Sequence, residues 1–133
     1  MMLKITSDGK RSESLRKMAE TTLKRLNKTD KRAYPANTLT DYYDIIHKLM
    51  EAFAAIKGVK FRGEGAHQEL IDFTSKELVF SEHDREFLQQ MRSYRNRIHY
   101  EGFEVHANFI FLNEKRIRVL IRVLLKHLSP KTT

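Results

Sequence analysis

The chain has 133 residues, no cysteine and a formal charge of +8. That length supports one hydrophobic core and a single domain spanning 1–133. The missing thiols exclude a disulfide framework and Cys-ligated zinc, and the positive excess favours polyanionic partners such as RNA, DNA or an acidic protein. Residues 1–40 carry ten Lys or Arg against four acids, 41–80 five against seven, and 81–133 ten against six, so the basic character sits at the two ends. No apolar segment follows Met1-Met2-Leu3-Lys4 and no run has the length of a bilayer span, which makes a cytoplasmic protein without a membrane segment the expectation.

Pro35 and Pro130 stand outside the periodic segments, and the glycines concentrate in Gly58–Gly65, which holds three of the five; the long uninterrupted stretches read as helices. The first runs from near Ser12 to Leu26, with Leu15, Met18, Ala19, Thr22, Leu23 and Leu26 at helical spacing. Residues 1–11 before it, and 129–133 at the other end, read as flexible termini. A second helix opens at Thr38 or Thr40, buries Ile45, Ile46, Leu49, Phe53 and Ile56, and stops at Gly58. The basic, glycine-containing stretch Lys57–Gly65 lacks the Gly-Lys-Ser/Thr ending of a phosphate-binding loop and reads as a flexible connection. A third helix covers Ala66 to Leu78.

Ser81 is placed to cap a fourth helix, with Asp84 three residues on and Gly102 as its stop. A last helix from Asn108 to Leu128 supplies Phe109, Leu112, Ile117, Leu120, Ile121, Leu124 and Leu128 to the core. The expected fold is therefore all-α, an antiparallel up-and-down bundle of about five helices.

The chemistry concentrates in the fourth helix, in Arg92-Ser93-Tyr94-Arg95-Asn96-Arg97-Ile98-His99. At 100° per residue, Arg92, Arg95, Asn96 and His99 share roughly 100° of arc, beside an apolar stripe of Phe87, Met91, Tyr94 and Ile98. Arg92 and Arg95 lie about 10 Å and 6 Å behind His99 along the axis, within reach of one phosphate for long side chains. RNA transesterification needs a base for the 2′-hydroxyl proton and cations for the phosphorane charge, and needs no metal because the nucleophile is internal. Histidine titrates in the right range, and arginine keeps its charge and its forked donors.

These residues resemble the HEPN domain family (higher eukaryotes and prokaryotes nucleotide-binding), an all-helical module marked by an arginine, four to six intervening residues and a histidine. Arg92 and His99 are separated by six, and Arg95-Asn96 is similar to the arginine–polar pair of that segment; either arginine can be the principal one. The resemblance implies a dimer with a composite cleft between two motif helices, and metal-independent endoribonuclease activity leaving a 2′,3′-cyclic phosphate and a 5′-hydroxyl. It implies no cofactor. Many such domains are toxins of toxin–antitoxin pairs beside a minimal nucleotidyltransferase; others are non-catalytic, nucleotide-binding companions of one, and that is the alternative reading here. A third is a helical interaction protein that recruits an acidic partner. In one toxin subgroup a tyrosine two positions after the histidine is adenylylated. Here Tyr100 follows immediately and Glu101 takes that place.

The catalytic candidates are thus His99, Arg92 and Arg95. Asn96 is the candidate for orienting the substrate, with Arg97 and Tyr100 as further contacts to RNA or a nucleotide. Glu101 is expected to offset part of the repulsion between clustered arginines. His47, His67, His83, His106 and His127 show no metal-ligand spacing. Tyr34, Tyr42 and Tyr43 read as packing residues before base-stacking ones, and Asp41 and Asp44 as helix N-terminal charges.

Overall fold

A computed structural model describes residues 1–128. In chain order the elements are β1 (Met2–Lys4), α1 (Gly9–Asn27), α2 (Pro35–Lys57), β2 (Val59–Phe61), α3 (Ala66–Glu77), α4 (Glu82–Glu101) and α5 (Ala107–Leu128). The protein is an all-α helical bundle with one two-stranded antiparallel ribbon, in which Leu3 faces Lys60.

The bundle is built around α2. Leu39, Tyr42, Ile46, Leu49, Met50 and Phe53 are all buried, and so are Tyr43, Ile45, Ala52, Ala54 and Ala55. Burial on nearly every side is the mark of a central helix, against which amphipathic helices lay one stripe each. Each fully buried aliphatic side chain contributes about 1.5–3 kcal/mol. α1 runs antiparallel to α2, since Arg11 pairs with Glu51 and Arg25 with Asp41. α3 runs antiparallel to α4, with Gln68 and Asp72 both held by Gln89, and Asp72 also by Arg85. Tyr42 donates to Glu114 at 2.9 Å and ties α2 to α5.

Local signals explain the helix ends. Asp8 accepts from the amide of Arg11, and Ser81 from that of Asp84, each satisfying an otherwise unpaired donor. Gly58 and Gly102 close α2 and α4 in the left-handed conformation, φ 73° and 63°. Gly58 has a second duty: a Cβ there would stand 2.8 Å from the carbonyl oxygen of Ile5, which is bonded back to Gly58 through its own amide. Val79, after α3, also has a positive φ of 55°, an unfavourable geometry for a β-branched residue.

Four expectations change. Pro35 is the first residue of α2 rather than outside it; the first turn needs no amide from it, so proline fits there. Residues 1–11 are not a flexible terminus, because β1 pairs with β2 and α1 begins at Gly9. For the same reason the Lys57–Gly65 connection contains a strand. Met18, Ile56 and Leu112, assigned to the core, are exposed. Residues 129–133 lie outside the described residues.

Candidate functional site

The apolar stripe of α4 does what its spacing requires. Phe87 and Met91 are buried, and Tyr94 packs on Phe103 and Phe109 with ring centroids 5.3 Å away in each case. This fixes the rotation of α4, so the neighbouring arc of Arg92, Arg95, Asn96 and His99 is presented beside the core rather than in it.

Its members have different surroundings. Arg92 is half-buried and donates through Nε to Gln89 Oε1 at 2.9 Å. Arg95 is half-buried against α2: its Nε lies 3.6 Å from Asp44 Oδ1, close enough for charge attraction but without a hydrogen bond. A buried guanidinium donor left open in this way is costly unless a further acceptor arrives. Asn96 is half-buried and His99 exposed, and neither side chain has a hydrogen bond or ion pair among the described residues. Arg97 is committed locally, 3.2 Å from Glu101 and with its guanidinium 4.0 Å above the Phe103 ring. Glu101 is therefore occupied by its own helix. Tyr100 is 84 % exposed, a large ring in solvent at the end of the motif.

Sequence reasoning missed what α2 and α3 bring to this face. Tyr43, His47 and Glu51 are spaced four apart, hence on one side of α2. Tyr43 stacks on His47 at 5.9 Å, and His47 stacks on His67 of α3 at 4.1 Å. His47 Nε2 meets Glu51 Oε1 at 2.9 Å, and that hydrogen bond holds the Glu51 carboxyl below the usual carboxylate range against the opposing effect of burial. Burial, then His47 and Arg95, push the His67 imidazole down. Burial pushes the Tyr43 phenol up, while Arg92 and Arg95 pull it back. Those couplings place the two arginines beside the ring stack. Tyr43 Oη and His47 Nδ1 are buried without a hydrogen-bond partner among the described residues.

Asp41 and Asp44 do not serve as helix N-terminal charges: α2 starts at Pro35, well before them, and they pair with Arg25 and Arg95. Tyr42 and Tyr43 are core residues, as their spacing suggested, whereas Tyr34 is exposed. Among the described residues no three of His, Asp and Glu converge as metal ligands, and no helix is long and apolar enough to cross a membrane.

No protein-family model, curated protein or solved structure matches the chain.

What the arrangement offers chemically is a half-buried pair of arginines, one with an open donor, beside an amide and an exposed imidazole one turn apart. Cations fixed by Gln89 and Asp44 are suited to phosphate oxygens. The signal for the missing members was present as the Tyr43–His47–Glu51 spacing, but their convergence with Arg92 and Arg95 depends on how α2, α3 and α4 pack.

Proposed function

We propose that the protein is a metal-independent endoribonuclease of HEPN type, acting as the toxin of a toxin–antitoxin pair and as a homodimer whose motif helices face one another. The observation that carries this reading is the arc of Arg92, Arg95, Asn96 and His99, with Arg95 Nε lacking a hydrogen-bond partner and His99 exposed at its end. His99 takes the 2′-hydroxyl proton, the 2′-oxygen attacks phosphorus, and the bond to the 5′-oxygen breaks. The products are a 2′,3′-cyclic phosphate and, once the leaving oxygen gains a proton, a 5′-hydroxyl. Arg92 and Arg95 hold the phosphate oxygens as charge builds on them. A second copy supplies the other imidazole, so that base and acid come from two protomers.

The alternative is a non-catalytic nucleotide-binding partner of a minimal nucleotidyltransferase. It is favoured by one observation: among the described residues His99 has no side-chain partner to orient its ring. End-labelled RNA incubated with the parent and His99→Ala proteins in excess chelator separates the two. The ribonuclease reading expects cuts ending in cyclic phosphate and a loss of about 10²–10⁴-fold in the variant. Cleavage as fast in the variant as in the parent overturns it, and RNA or nucleotide binding without cuts selects the alternative.

A further inference from the structure

Beside the His47–His67 stack, where the β1–β2 ribbon crosses α2 and α3, the fold forms a half-open cavity of about 230 Å³. Its apolar surface comes from Ala54, Val59, Phe61 and Leu70, and its polar wall from His47, Glu51 and His67. Arg11, Lys60 and Arg62 line it as well. The volume falls below the roughly 300–1,000 Å³ of sites for drug-sized ligands, so the occupant is small.

We propose that this cavity binds a planar aromatic phosphate monoester. The charge count sets the anion. Three cations against the single carboxylate of Glu51 leave two positive charges, which match the charge of about −1.5 to −2 on a phosphate monoester at pH 7. Arg11 is shared with Glu51 at 3.4 Å, whereas the side chains of Lys60 and Arg62 have no hydrogen bond or ion pair among the described residues. The shape and chemistry of the remaining wall set the aromatic part: Phe61 and the His67 imidazole are flat partners for a ring. His67 is held in place by its stack on His47, and the depressed basicity that burial and its neighbours impose keeps it uncharged near neutral pH. The two imidazoles meet face to face, at an interplanar angle of 26°, so they form no proton relay; the pair shapes the wall. β2 supplies Lys60 to the lining, and its pairing with β1 fixes the position of that strand.

The site stands independently of the ribonuclease reading. Its test is calorimetric and NMR titration of the full chain with adenosine 5′-monophosphate and with phenyl phosphate, using inorganic phosphate and adenosine as controls. At least one monoester binds saturably with a Kd below about 1 mM, at least about tenfold tighter than inorganic phosphate, and shifts the ring-proton signals of His67. Preference for the nucleotide over phenyl phosphate identifies a nucleoside source, and equal binding a simple aryl phosphate. In the Lys60→Ala/Arg62→Ala protein the affinity falls about tenfold or more at unchanged Tm. The proposal is overturned if neither monoester binds, if inorganic phosphate binds as tightly, or if the double variant binds like the parent. RNA cleavage by the parent and His99→Ala proteins is read separately and bears only on the α4 site.

Discussion

Along the first half of α4, Asp84 holds Arg116, Arg85 reaches Asp72 and Glu82, and Gln89 binds both Gln68 and Asp72. Along the second half, the side chains of Asn96, His99 and Tyr100 have no hydrogen bond or ion pair among the described residues, and Arg95 meets Asp44 without a hydrogen bond. One helix thus divides its polar groups: the N-terminal turns pair theirs with α3 and α5, whereas in the C-terminal turns Arg97 pairs only with Glu101 of the same helix and the side chains of Asn96, His99 and Tyr100 stay open. Gln89 is the junction, since its amide nitrogen serves α3 while its oxygen receives Arg92. The C-terminal end of α4 can be polar and open because the other end anchors the helix.

The widest separation between the halves is expected in stability. Leu88→Ala removes a side chain with no exposed surface and costs about 2–5 kcal/mol. Asn96→Ala in the same helix stays within about 0.5 kcal/mol. Urea unfolding of the two variants measures both, and similar losses would erase the division of labour. A smaller effect is expected at Asp84→Ala, which takes the carboxylate from Arg116 while leaving that guanidinium 4.4 Å above the Phe87 ring. The partly exposed pair makes the cost about 1 kcal/mol, visible as a lower urea midpoint at unchanged slope.

The smallest effect is in acid stability, and it sharpens the contrast between the ring stack and the open arc. The His67 pKa is lowered on folding, so the folded chain binds fewer protons than the unfolded chain over the interval below the ordinary imidazole value of about 6.5. Stability contributed by His67 is therefore full above that value and falls as the pH drops towards the folded pKa. Glu51, whose pKa is also lowered, adds a loss at lower pH, as the solution passes down through the carboxylate range. In His67→Gln the first decline of Tm with acid becomes shallower and the second remains. A profile identical to that of the parent would remove His67 from the account.

Much of this protein was legible residue by residue. Ser81, Gly58 and Gly102 ended helices where their chemistry demanded, because capping depends on a few neighbouring backbone groups. The stripe of Phe87, Met91, Tyr94 and Ile98 gave the rotation of α4, and with it the face that carries Arg92, Arg95, Asn96 and His99, because periodicity is a property of one helix. The same reasoning failed at Met18, Ile56 and Leu112, since spacing marks a side of a helix but not how far the neighbouring helices extend along it. Pro35 was misplaced because proline's ban from helix interiors does not apply to the first turn.

Sequence by itself determined the all-α class, the position of the main helices and the order of groups along α4, all consequences of interactions within a few residues. Tertiary structure alone decided which groups meet across the chain. It ordered the N-terminal ribbon through β2, took Asp44 from a presumed helix-end charge to Arg95, and brought His47 and His67 into a stack whose partners stand 20 residues apart. Such meetings follow from how helices pack against α2, and packing is a sum over the whole core that no local pattern contains.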